Sequence, residues 1–433
     1  MDDRASSTPL RPPSHSPFPP SHSWSRTVVA ARPVSWLPFR VIALSLAMGT
    51  MGATMASPLF PFYADLWGLA ASSITIVFVS YMIGVMAAFL FLGRLTDRLG
   101  PVPVLRAALL LILGGLSLSA TAGGLGSLIA ARFAIGIASG MVTTSATVGL
   151  VAFEPAGAVR RAPLIASMTT MAGFGLGPLV AGVAAQLAAS PLVTPYLVVL
   201  APTALVFGGL LAVRTAGSRR NAEADGARTV RLSLMPRLVL PDREALPGFL
   251  VASFAVFTAY GLFSLLASLA PTFLKDLLPW HGPAVSGVAL ATVLFCSAGV
   301  QFPARRLEPK TGLRMALSLM GTGVILLGLS LGLHIAPLFF AADLAIGLGH
   351  GLAFMSGIAI VDRISGEHNR GGLLSSFLSI GYLGTIAPIL AVGFLSDAVG
   401  VANAVIAFCA VSTLSTAFLL STARLVPVHA RAG

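Results

Sequence analysis

Long apolar stretches, separated by short polar or glycine-rich breaks, recur from residue 41 to residue 422. A helix needs about 20 apolar residues to cross the ~30 Å hydrocarbon layer of a bilayer. Twelve stretches meet that length, at 41–62, 72–93, 103–123, 126–152, 163–187, 195–213, 249–273, 284–304, 313–333, 337–360, 372–395 and 401–422. The runs are continuous, whereas the strands of a membrane barrel alternate over about ten residues. The pattern predicts an all-α, polytopic membrane protein with twelve transmembrane helices. The third and fourth spans nearly touch, as do the ninth and tenth, which predicts tight hairpins.

Composition agrees. Of the 433 residues, 56% are hydrophobic and 10% charged, with a mean hydropathy of +0.90, against about 25% charged in soluble domains. The formal charge of +12 could suggest a nucleic-acid partner, but its placement argues otherwise. With both termini in the cytoplasm, all 27 Lys and Arg except Lys275 and Arg132 fall on that side. This positive-inside pattern predicts a multi-pass protein of the cell's inner membrane, in contact with lipid and not with nucleic acid. Cys296 and Cys409 lie within spans and suggest no disulfide, and the seven histidines lack metal-ligand spacing. No cofactor or metal is expected.

The chain also repeats itself. AARFAIGIASG at 130–140 returns as AADLAIGLGHG at 341–351, an offset of 211, with Asp343 in the place of Arg132. Arg98-Leu99-x-Pro101 is echoed by Arg306-Leu307-x-Pro309, and Leu59, Pro61, Tyr63 and Asp65 by Leu269, Pro271, Phe273 and Asp276. Three matches in register predict two pseudo-symmetric six-helix halves, at 36–213 and 248–423. A charged cytoplasmic linker at 214–247 joins them, and cytoplasmic tails flank them at 1–35, rich in Ser, Pro and Arg and predicted disordered, and at 424–433. Parallel repeats of this kind build rocking transporters whose substrate sites lie between the halves near the midplane.

GRLTDRLG at 93–100 follows the second span. Set between spans 2 and 3 of a twelve-span, two-half chain, it resembles the major facilitator superfamily over residues 36–423. The family signature there is Gly-x-x-x-Asp-Arg/Lys-x-Gly followed by basic residues, matched by Gly93, Asp97, Arg98 and Gly100. The resemblance implies a cytoplasmic gate latch. Pro101 and Val102 replace two further basic residues, for which Arg106 compensates in part. The second-half copy has Gln301 and Arg305 where the first has Gly93 and Asp97, so latching is expected to be asymmetric.

Arg132-x-x-x-Gly136-x-x-x-Gly140 resembles the family's fourth-helix arginine motif, implicated in proton transfer in antiporters; glycines four apart equally serve close helix packing. Gly173, Gly177, Pro178 and Gly182 in the fifth span resemble the motif of 12-helix drug–proton antiporters, with Leu164 and Ala181 departing from it. A packing kink is the other reading of this segment.

Arg132 and Asp343 each lie about six residues, roughly 9 Å, from the outer ends of their spans. Each charge costs about 2.5–3.5 kcal/mol at such depth. Two arrangements answer that cost. The pair meet across the outer part of a central cavity when that side is closed, or Asp343 carries the coupling proton with Arg132 nearby. His350, seven residues on, shares a face with Asp343 and is a candidate for proton exchange or for a bond to a neighbouring helix. Met51 and Met55 (with Met48) and Tyr260 are candidates for a soft, apolar cavity wall.

These features predict a monomeric secondary active transporter that exports a small amphipathic or hydrophobic compound in exchange for protons. An uptake symporter or facilitator for a sugar or organic anion is the alternative, and a non-transporting receptor the alternative of another class. An enzyme is not expected: the chain has no phosphate-cradling Gly-x₄-Gly-Lys-Ser/Thr loop and no His-Glu-x-x-His.

Overall fold

The computed structural model describes residues 36–92, 95–155, 161–213, 239–280, 282–365 and 369–426. The predicted N-terminal tail, most of the C-terminal tail and of the linker, and Gly93 of the gate loop lie outside them. The described residues are helical, without strands, and twelve helices are long and apolar enough to cross a membrane. We number them α1 (Leu37–Trp67), α2 (Ala71–Leu92), α3 (Pro101–Ala120), α4 (Leu125–Ala152), α5 (Ala162–Leu187), α6 (Thr194–Ala212), α7 (Leu246–Ser268), α8 (Pro283–Ala304), α9 (Pro309–Leu333), α10 (Ala336–Ile364), α11 (Arg370–Val399) and α12 (Val401–Leu425). Each predicted span has its helix. Twelve crossings put Leu37 and Leu425 on one face of the molecule, here the near face; the opposite face is the far face.

α1 is broken. It is α-helical over Leu37–Thr54, 3₁₀ over Ser57–Leu59 and helical again over Phe60–Trp67. Pro58, with no N–H to offer the Thr54 carbonyl, accounts for the break. Its counterpart at the local repeat offset of 210 is Ser268, and α7 accordingly continues to Ser268 before a short helix at Ala270–Leu277.

Helix contacts repeat between α1–α6, here called the first half, and α7–α12, the second. A Cβ on Gly136 of α4 would strike the Tyr81 carbonyl of α2, and one on Gly140 would meet Ala88 and the Val85 carbonyl. In the other half, Gly347 of α10 lies against Val293 and Cys296 of α8, and Gly351 against the Ser297 carbonyl. The repeated phrase is therefore the pair of small residues that lets α4 approach α2 and α10 approach α8.

The halves meet along two seams. α5 runs against α8, with Gly182 beside the Pro283 carbonyl, Gly287 beside the Pro178 carbonyl and Gly175 beside the Phe295 ring. α2 runs antiparallel to α11, with Ser72 beside Asp397, Thr75 against Gly393, and Phe89 and Tyr382 rings 5.8 Å apart. These contacts begin at the far face and reach about the middle of α5, α8 and α11, and on α2 as far as Phe89 in its last turn.

Candidate functional site

Arg132 is 1% exposed on α4, about two turns from its start at Leu125. Its Nη1 donates to the Ala53 carbonyl of α1 at 3.0 Å, and its Cζ stands 4.6 Å from the centre of the Tyr81 ring. Ala53 is in the last turn of α1's first segment, so the guanidinium complements the negative end of a broken helix and sits on an aromatic face. Tyr63 and Tyr196 lie within electrostatic reach; their hydroxyls are 3.0 Å apart, and that of Tyr63 donates to the Ser119 carbonyl at 3.3 Å. A buried cation is thus held inside the first half without a carboxylate, with its Nε left without a hydrogen-bond partner.

Asp343 is 2% exposed, about two turns from the start of α10 at Ala336. It shares its helix face with Gly347, which meets α8, and with His350, which meets α7 and α8. Cys296 of α8 is within electrostatic reach. Its Oδ1 is buried with no hydrogen-bond partner. The ion pairs among the described residues join Glu308 to Arg363 and Asp362 to Arg370. Arg132 and Asp343 therefore do not pair, although the halves touch at the far face, where closure was expected to bring them together. The packing accounts for the discrepancy on the Arg132 side: it turns the guanidinium toward Ala53 of α1 and Tyr81 of α2, within its own half and not across the seam.

His350 Nδ1 is 2.8 Å from Ser297 Oγ on α8. Its ring stacks on Tyr260 at 5.5 Å and 19° and lies 5.7 Å from that of Phe263. Tyr260 continues to Phe354 at 6.1 Å and to Tyr382 at 5.8 Å, and Tyr382 reaches Phe89 of the other half. His350, Tyr260, Phe354, Tyr382 and Phe89 are all half-exposed. They form an aromatic wall that crosses from the middle of α7, α10 and α11 to the last turn of α2. Tyr260 belongs to it as expected. Met51 and Met55 do not: they are 8% and 0% exposed in the first half's core, where α5 packs its Gly177 against the Met51 carbonyl.

At the near face Asp97 and Arg98 are exposed, and Gly100, with φ 78° and ψ 165°, precedes Pro101 at the start of α3. Arg106 does not serve this loop. It donates to the carbonyls of Leu210, Leu211 and Val213, capping the end of α6, where a cation is favoured. The second-half copy is tied down within its own half. Glu308 accepts from the Thr311 N–H at 3.0 Å and from Arg363 Nη1 at 3.1 Å. Burial alone would raise the Glu308 carboxyl, but these bonds and the Lys310 amide outweigh it and hold the group below its ordinary value.

The α5 motif has a partner that the sequence repeats did not bring out. Gly173, Pro178 and Gly182 correspond to Gly384, Pro388 and Gly393 of α11, with both prolines inside their helices. Gly173 packs on Ala47 and Thr50 of α1, Gly384 on Phe257 of α7; Gly182 meets α8 as Gly393 meets α2. These positions are symmetric helix contacts, with Gly177 adding a contact to α1.

The Major Facilitator Superfamily model matches residues 42–387. Comparison with curated proteins gives no match. Among solved structures, a bacterial homolog of the human lysosomal transporter Spinster, inward-facing and occupied, superposes with a TM-score of 0.68 at 14% identity, covering 91% of this chain and 98% of that one. The nucleoside transporter NupG gives 0.68 at 16%, covering 89% and 99%. The POT family transporter PepTSo gives 0.70 at 13%, covering 90% and 98%. At these identities the likeness is one of fold.

Proposed function

The chain belongs to the major facilitator superfamily, and we propose that it is a secondary active transporter exporting a small amphipathic or hydrophobic compound in exchange for protons. Asp343 carries the coupling part of this reading. It is a buried carboxyl that makes no ion pair with another described residue and has one oxygen without a hydrogen-bond partner. An ionised acid at such depth costs about 2.5–3.5 kcal/mol, and the neutral acid avoids that cost. Loading or releasing a proton therefore changes which arrangement of the two halves is favoured. His350, bonded to Ser297 on the same face, is the second group placed to exchange a proton.

The aromatic wall supports the substrate class. Tyr260, Phe354, Tyr382 and Phe89 offer ring faces from both halves and bring no formal charge. Such a surface suits an apolar or amphipathic ligand. Export is the direction proposed from the α5 resemblance, with the termini assigned to the cytoplasm from the placement of basic residues. Because Gly384, Pro388 and Gly393 repeat the α5 arrangement, uptake by symport is the reading that the test must separate from it.

The test is a flux screen in proteoliposomes, with dyes, antibiotics and sugars offered under a pH gradient of either sign. The expected result is accumulation of an amphipathic cation or dye against its gradient, driven by protons moving the other way. Flux indifferent to the gradient, or driven with it, rejects antiport.

A further inference from the structure

The seam between α2 and α11 holds a second copy of the gate-loop pattern, at the opposite face. Leu95-Thr96-Asp97-x-Leu99-Gly100 ends the α2 side at the near face; Leu395-Ser396-Asp397-x-Val399-Gly400 ends α11 at the far face. The backbones match as the letters do. Gly100 has φ 78° and ψ 165°, Gly400 has φ 85° and ψ 154°, and each stands as the cap residue of the next helix. These positive φ values are strained for any residue but glycine. Each glycine N–H donates four residues back at 2.9 Å, to Thr96 and to Ser396, whose side chains are both buried. Nested inverted repeats of three helices are an expected origin for such a relation in this architecture.

The far copy is engaged. The Ser72 N–H, in the first turn of α2, donates to Asp397 Oδ1 at 3.2 Å. First-turn amides lack partners within their helix and form its positive end. Ala70, the cap residue of α2, supplies no side-chain bond. Asp397 therefore provides, from the other half, the acceptor that α2 lacks. Less than two turns along, Gly393 packs on Thr75 without room for a side chain. The near copy is not engaged in this way: Asp97 is exposed and makes no hydrogen bond or ion pair to another described residue. Its geometric counterpart target is the start of α11 at Arg370.

We propose that Asp397 is the latch of the far gate, the inverted counterpart of Asp97. Its carboxylate holds the start of α2 while the halves are joined at the far face. When that face opens, the bond to Ser72 breaks and Asp97 takes the equivalent place at the start of α11. A contact present in one state alone shifts the equilibrium by its full differential worth. For a carboxylate at a helix start that is about a two- to fivefold change in population.

The proposal rests on the two-half rocking of the preceding section, but neither on protons nor on a substrate. Its test can therefore fail separately. Val285, half-buried near the far end of α8, is replaced by cysteine in a background lacking Cys296 and Cys409. The rate of its reaction with a bulky maleimide is then read in nanodiscs, with no substrate and no pH gradient. Asp397→Asn is expected to raise the rate about two- to fivefold, Asp97→Asn to lower it by a similar factor, and the double variant to return to the parent. An unchanged or lowered rate in Asp397→Asn, or a rise in both single variants, overturns the proposal. A failure of proton-driven flux would leave these rates as predicted.

Discussion

Arg132 and Asp343 occupy equivalent places in the two halves, yet the cation is the better provided for, with a carbonyl and a ring at its guanidinium although its Nε has no hydrogen-bond partner. α4 and α10 both use a glycine pair to approach the second helix of their half, and both carry the charge one turn before the first glycine of that pair. The first half answers with a carbonyl, because Pro58 breaks α1 beside Arg132, and with the Tyr81 ring. The second half has Ser268 at the corresponding place and an unbroken α7 up to it, and Asp343 Oδ1 is left without a donor. Duplication thus transmits helix packing but not the partners of the charge. One half holds a fixed charge as part of its structure; the other holds a group whose charge has no fixed partner.

That contrast can be broken at several points. The largest effect is expected in transport. Asp343→Asn should reduce proton-driven flux by tenfold or more, about 1.4 kcal/mol or above in the barrier, while exchange of labelled for unlabelled compound continues without a gradient. Stability should respond the other way round. Arg132→Leu strands the Ala53 carbonyl and is expected to cost about 1–3 kcal/mol, seen as a lowered melting temperature in detergent, with Arg132→Lys losing less. Asp343→Leu removes a buried, unpartnered acid and should be neutral or stabilising in the same melt. Equal losses from both leucine variants would refute the asymmetry.

The equivalence of packing is tested by Gly136→Val and Gly347→Val. Both force a side chain into backbone of the neighbouring helix, and both should destabilise by a similar amount, about 1–3 kcal/mol or more. A loss confined to one half would show the repeat to be superficial.

The smallest effect concerns the near face. Glu308 titrates below its ordinary value, so its contribution is present above the unfolded carboxyl's pKa and is lost as pH falls through the lower folded value. Glu308→Gln should therefore cost about a few tenths of a kcal/mol at neutral pH. Melts should show no difference from the parent once the pH is below the folded value.

The twelve spans were legible because a bilayer imposes one length on every crossing, and the repeat was legible because duplicated glycines keep their spacing. The burial of Arg132 and Asp343 followed from their depth in apolar runs. Their partners did not follow. A backbone carbonyl such as that of Ala53 has no letter of its own, and Tyr81 is one aromatic among many. The α11 counterpart of the α5 motif was hidden by a one-residue shift: the prolines are offset by 210 and the glycines by 211. Asp397 was hidden for a different reason. A search for parallel repeats compares the loop after α2 with the loop after α8, whereas the matching pattern lies in an inverted relation at the end of α11.

The central claim is that Asp343 takes up and releases the coupled proton. It is met most directly by recording internal pH in proteoliposomes as substrate is added, for the parent and for Asp343→Asn. A substrate-dependent proton signal in the parent that is absent from Asp343→Asn, with substrate exchange retained, is the predicted result. A proton signal of undiminished size in Asp343→Asn would contradict it.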